Sequence, residues 1–369
     1  MQVIIGVLFH AVGACCAALC YTPQKRVSGW SWETYWLTQA TVCWLLLPLL
    51  GAWLLIPHLS SVLAETPAPV MWKVFGLGAA YGIGGTAFGI AIRYIGYSLT
   101  YAVSVGLSCV IGTLLPPLVH GELLHVFQQP GAWFIGWGVG MGAFGIALCG
   151  AAGRYKEVSL AGALSRGSAS GSETAAHVEA AVYVDAVGPE SGRPSVRPRF
   201  DLAKGLPLCL LAGILSAVYG FAIDQGQPIA DIAARYGAGN FQGEVIYIFS
   251  NSGAFATTLL YCIYLHVKHR SFGEYARPGA LKLNFLLAGL TGCLWYGQFF
   301  FYALGHIRMG SYKFTSWAIH MTMLVLFSAL TGLALKEWTG AGRVARKTLG
   351  WALGVLVAAI LLLCYGNYI

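Results

Sequence analysis

The residues of this 369-residue chain best suited to chemistry are polar side chains stranded in long apolar runs. Lys313, Trp317 and His320 fall at i, i+4 and i+7, one face of a helix. With an apolar run starting at 312, His320 is expected about nine residues in, roughly 13 Å deep at 1.5 Å per residue. An imidazole at that depth can titrate near neutral pH or bond a hydroxyl. His10 stands mid-way along the first run. Trp295, Gln298 and Tyr302 form a second stripe at i, i+3 and i+7. An indole face suits the apolar face of a ring-shaped solute, and an amide both donates to and accepts from hydroxyls. Glu244, Tyr247 and Asn251 repeat that spacing, and the stretch "FSNSGAF" is expected to loosen its helix. Tyr101, Ser104 and Ser108 follow in the fourth run. Each group has a plainer reading: a core histidine bonded to a carbonyl, or an aromatic stripe that only packs. Function is favoured at His320 and Gln298, because an ionisable or amide group in hydrocarbon is costly without partners.

The elements that position these groups are membrane helices. Hydrophobic residues make up 57% of the chain and charged residues only 10%, far below the quarter usual in soluble domains. Apolar runs long enough to cross a bilayer fall near 2–20, 36–57, 70–92, 98–118, 131–152, 204–224, 243–266, 281–305, 312–335 and 347–367. The fold class is therefore all-α and integral to the membrane. The first run lacks the basic n-region of a signal peptide and is read as a span. The net charge of +8 is carried by loops between the runs, so no nucleic-acid partner is expected. The ten cysteines lie in or beside apolar runs without metal-binding spacing, which points to packing. No hydrolase, metalloprotease or phosphate-loop motif occurs, and no acidic cluster, so an enzyme is not expected.

Orientation follows from the basic residues. Lys25, Arg26, Arg154, Lys156, Lys268, Arg270, Arg343 and Arg346 are among the many in odd-numbered loops, against Lys73, Arg235, Arg308 and Lys313 on the other side. The bias places the odd loops in the cytoplasm and both termini outside. Residues 153–203 are polar, aperiodic and broken by Pro and Gly, as expected of a disordered cytoplasmic linker with a short helix around Glu173 to Val184. The linker divides the chain into 1–152 and 204–369, five spans each, so the second half enters the membrane oppositely. That is the geometry of an inverted repeat. "FHAVGACCAALCY" beside "LLAGILSAVYGF", and "AIRYIGYS" beside "ALGHIRMGS", support a 5+5 arrangement.

Several stretches resemble the L-rhamnose–proton symporter family of the drug/metabolite transporter superfamily: "CYTPQKRVSGWSWETYW", "FGIAIRYIGYS", "IGTLLPP", "LWYGQFFFYALGH" and "SWAIHM…LTGLALKEW…AGR". The resemblance spans both halves apart from the linker. It implies ten helices, a bacterial inner-membrane location and proton-driven uptake of a deoxy sugar, with no cofactor beyond the proton. His10, Asn251, Trp295, Gln298, Tyr302, Trp317 and His320 are then candidates for the sugar site. Glu33, Asp224 and His320 are candidates for the coupling proton, with Glu244 beside them. Two departures stand out: the long linker, and Lys313 where an acid is expected. An exporter or exchanger of metabolites or drugs on the same fold is the alternative reading. Partners are expected to be the sugar and lipid, and the almost wholly apolar last span offers a face to lipid or to a second copy in a homodimer.

Overall fold

A computed structural model describes residues 2–95, 97–128, 130–168, 201–277, 281–310 and 313–368. Every regular element among them is helical. Ten helices are long and apolar enough to cross a membrane. The first is α1, Gln2–Leu19. The second span is composite: α2, Trp32–Ala40, runs through a π-helical turn, Thr41–Leu46, into α3, Leu47–Leu55. Short α4, Leu59–Glu65, leads to α5, Ala68–Ile95, and α6, Tyr97–Val119. Short α7, Leu123–Gln128, precedes α8, Ala132–Ser168. In the second half come α9, Leu202–Gln225, short α10, Gln227–Arg235, and α11, Ile246–His269. The bundle closes with α12, Leu281–His306, α13, Thr315–Ala334, and α14, Arg343–Gly366.

Helices pack closely where small residues meet, as expected when lipid supplies no hydrophobic drive between them. A Cβ on Gly78 would overlap the Ser250 carbonyl, and one on Gly253 would overlap the Phe75 carbonyl, so α5 and α11 cross backbone to backbone. The stretch "FSNSGAF" accordingly does not loosen α11, which is continuous; its glycine serves the crossing instead. Gly82 meets Thr257 and Ala254 on the same seam, whereas Gly85 faces open space. Gly6 and Gly305 bring α1 against α12 in the same manner.

α1 packs against α12 and α13, while α9 packs against α5 and α6. The composite second span packs on α11 and α12, and α11 on α5 and α2. α8 and α14 form the most extensive pair, at the side of the bundle. α8 runs well past residue 152, so the start of the polar segment is helical, and 169–200, including the helix expected near Glu173, lies outside the described residues. All ten cysteines are free thiols, five of them buried. Trp72, Trp133 and Trp351 are exposed on the outside of the bundle, where an indole suits the lipid–water boundary.

Candidate functional site

Tyr302, on α12, is the hub of a buried polar centre. Its ring lies 5.1 Å from that of His10 on α1, 5.4 Å from His320 on α13 and 5.7 Å from Trp317 on α13. His306, one turn further along α12, stacks on it at 5.6 Å. The His10 and His320 rings are 6.0 Å apart, and Gly13 and Gly305 keep the space around them clear. Both ring nitrogens of His10, Nδ1 of His320 and Nδ1 of His306 are buried without a hydrogen-bond partner. Polar atoms so placed are high in energy unless something supplies bonds.

Trp317 is fixed from three sides. Its Nε1 donates to the Ser108 carbonyl on α6 at 3.0 Å, and Ser108 Oγ donates to Ser216 on α9 at 2.9 Å. Gly112 and Gly220 lie flat on the two sides of the indole, where any Cβ would press into it. The seat is rigid, so the indole face presents a fixed plane. Tyr219, on α9, continues the wall: its hydroxyl donates to Asn251 Oδ1 on α11, and its ring lies 5.0 Å from Phe299 and 4.4 Å from Tyr81.

Two cavities meet at Tyr302 and Trp317. The inner one, about 320 Å³ in empty volume, is lined by residues that include Tyr219, Gln298, Tyr302, Trp317 and His320. The outer one, about 480 Å³, is lined among others by Asp224, His306 and Lys313, and lies toward the end of the bundle where α1 begins. Volumes of this order match small-molecule sites, which run from roughly 300 to 1,000 Å³. The inner lining alternates aromatic faces with an amide, an imidazole and hydroxyls.

The sequence candidates fall in distinct places. Gln298, Tyr302, Trp317 and His320 line the inner cavity, and His10 packs behind it against Tyr302 and His320. Asn251 is one hydrogen bond away, through Tyr219. Trp295 stands apart in an aromatic cluster, 5.5 Å from Trp36, 5.8 Å from Trp44 and 5.4 Å from Tyr21. Lys313 precedes α13 rather than riding on it, because the helix begins only at Thr315. His320 is therefore five residues into α13, roughly 8 Å from its start rather than 13 Å. Asp224 accepts from His120 at 2.9 Å in a partly exposed pair at the outer cavity.

Glu33 lies at the opposite end. Its Oε1 accepts from Ser271 Oγ at 2.8 Å and pairs with His269 Nδ1 at 2.9 Å. Beside it Glu274 Oε2 accepts from the Ser31 backbone N–H and from Thr34 Oγ1, both at 2.6 Å, so a carboxylate from the second half caps the first turn of α2. Trp30 Nε1 donates to the Glu274 carbonyl, and Asn284 Nδ2 donates to the Ser28 carbonyl. Burial of Tyr275 in this loop pushes its phenol up to about 12.

Tyr219, Tyr81, Ser216 and Phe299 were not foreseen as parts of the site. A tyrosine in an apolar run reads as packing, and only its meeting with Asn251 across two distant helices shows otherwise. His306 carried more signal, as a histidine closing the "LWYGQFFFYALGH" stretch.

Comparison with known proteins places this geometry. The family described as L-rhamnose-proton symport protein (RhaT) matches residues 1–165 and 193–366. This chain belongs to that family. The L-rhamnose-proton symporter of Cronobacter sakazakii (strain ATCC BAA-894) is 32% identical over 362 residues, covering 96% of this chain and 95% of the relative. That of Salmonella typhi is 31% identical over 365 residues, covering 96% of each. The unmatched residues 166–192 fall inside the polar segment between the two helical halves. No solved structure matches the chain.

Proposed function

We propose that this chain carries L-rhamnose, or a closely related deoxy sugar, into the cell together with protons across the bacterial inner membrane. The observation that carries this reading is the inner cavity, where the fixed face of Trp317 stands opposite hydroxyl-bonding groups from Gln298 and His320. A deoxy sugar offers that combination: an apolar edge with a methyl group, and hydroxyls that donate and accept. Family membership and the names of the relatives agree with it. His10, Asn251, Trp295, Gln298, Tyr302, Trp317 and His320 are assigned to the sugar, with Trp295 on its path rather than in its first pocket. No cofactor is assigned beyond the proton, and no enzymatic step.

The movement is alternating access between two inverted five-helix repeats. Exchanging the halves turns α1 against α12 and α13 into α9 against α5 and α6, and both sets of contacts are present. The same exchange maps the α8–α14 pair onto itself. With the basic loops in the cytoplasm, the Glu33 end faces inward and the outer cavity opens outward. The coupling candidates then occupy three levels: Asp224 at the outer mouth, His320 at the sugar and Glu33 at the closed inner end. The apolar outer face of α14 is assigned to lipid or to a second copy.

Vesicles containing the protein should accumulate L-rhamnose when the outside is acidified, and a protonophore should abolish accumulation. Uptake that ignores the proton gradient would refute symport. Transport of other solutes with none of L-rhamnose would refute the sugar assignment.

A further inference from the structure

The buried carboxyl of Glu244 has no place in the account so far. It sits in a 3₁₀ turn, Gly239–Val245, that leads into α11, and it is fully buried. Its Oε2 accepts from Tyr296 Oη on α12 at 2.8 Å, and its Oε1 has no partner. Four elements pack on the turn. α12 brings Tyr296, and α11 brings Tyr247, whose hydroxyl donates to the Phe299 carbonyl instead. α3 has no titratable residue. α10 brings Asp231 and Arg235, both exposed and engaged, with Gln227 and with Glu65. Among the described residues no cation meets Glu244, and an ionised carboxylate buried without a countercharge is costly.

Glu33 shows the same position in the other half of the molecule. Each acid stands at the start of the second span of its half, within aromatic surroundings: "WSWETYW" around Glu33, "FQGEVIYIF" around Glu244. Glu33 is met by Ser271 and His269, which follow the second span of the opposite half. The corresponding segment of the first half contains His58-Leu59-Ser60, matching His269-Arg270-Ser271 in its H-x-S spacing. His58 and Ser60 are exposed and make no bond to Glu244. One acid is therefore engaged with its loop, while its counterpart lacks that engagement.

We propose that Glu244 is the residue that carries the coupled proton. This rests on the symport reading above. In the arrangement seen here a proton from outer water forms an O–H bond at Glu244 Oε1, giving a neutral acid suited to its dry seat. Exposed Asn240 is one turn above, roughly 8 Å at 2.0 Å per residue, so the path from water is short. In the opposite arrangement that O–H bond breaks and the proton passes to cytoplasmic water, leaving a carboxylate.

The test uses the full-length protein in lipid, wild type, Glu244→Gln and Glu244→Asp. Infrared difference spectra at neutral pH, taken without sugar, should show a protonated-carboxyl band in wild type that Glu244→Gln lacks. Its absence from wild type overturns the proposal whatever the cargo is. In vesicles, Glu244→Gln should lose gradient-driven accumulation by about tenfold or more and flatten the pH dependence of exchange, and Glu244→Asp should restore both. Wild-type accumulation by Glu244→Gln, or failure of Glu244→Asp to restore coupling, also overturns it. Absence of L-rhamnose transport in wild type would instead refute the cargo, leaving the infrared result to decide on Glu244.

Discussion

The two ends of the bundle treat buried polar groups in opposite ways. At the Glu33 end acceptors and donors are matched: Glu33 with Ser271 and His269, Glu274 with Ser31 and Thr34, Asn284 with Ser28. Toward the other end His10, His306, Ser316, His320, Thr322 and Glu244 all keep unpartnered buried atoms, and two cavities adjoin Tyr302. A satisfied network resists opening, whereas unsatisfied groups around a cavity gain by binding something. The contrast shows which end is shut here and where a solute would be held.

Glu274→Ala is the substitution that should damage the contrast most. It strips the acceptor from two buried donors, at a cost of about 1–3 kcal/mol. The expected outcome is a lower thermal midpoint and faster maleimide labelling of buried Cys262, read by mass spectrometry. Unchanged labelling would show that the network does not hold that end shut. Gln298→Ala should act at the other end, raising the half-saturation concentration for L-rhamnose roughly fivefold, about 1 kcal/mol for one neutral hydrogen bond. An unchanged half-saturation would remove Gln298 from the site. Lys25→Ala should do least. Lys25 pairs with Glu337 at the partly exposed edge, and such pairs contribute about 0–1 kcal/mol. A thermal midpoint that falls as far as that of Glu274→Ala would make this edge part of the closure.

The ten spans were legible because runs of apolar residues announce themselves by length alone. Shorter elements were not: α4, α7 and α10 are too brief and too polar to stand out from loops. The second span was read as starting at 36 because "WSWETYW" mixes charge with aromatics, yet α2 begins at Trp32, where Glu274 caps it from another part of the chain. At the site, a polar group in an apolar stretch was enough to single out His10, Gln298, Tyr302 and His320. Trp295 carried the same signal but faces Trp36 and Trp44, since helical spacing gives a stripe and not the neighbour it meets. Lys313 shared a face with Trp317 only on the assumption of a helix that in fact starts at Thr315.

The π-turn of the second span has a bearing on chain length. A π-turn accommodates a residue that an α-helix would not need. Deleting one residue between Thr41 and Leu46 would heal the helix and swivel all of α3 by about 100°. Gly51, which now gives the Tyr296 hydroxyl room, would turn away and another side chain would come round in its place. The hydroxyl that holds Glu244 thus depends on a surplus residue one turn upstream, so this stretch should tolerate substitutions far better than a change in its number of residues.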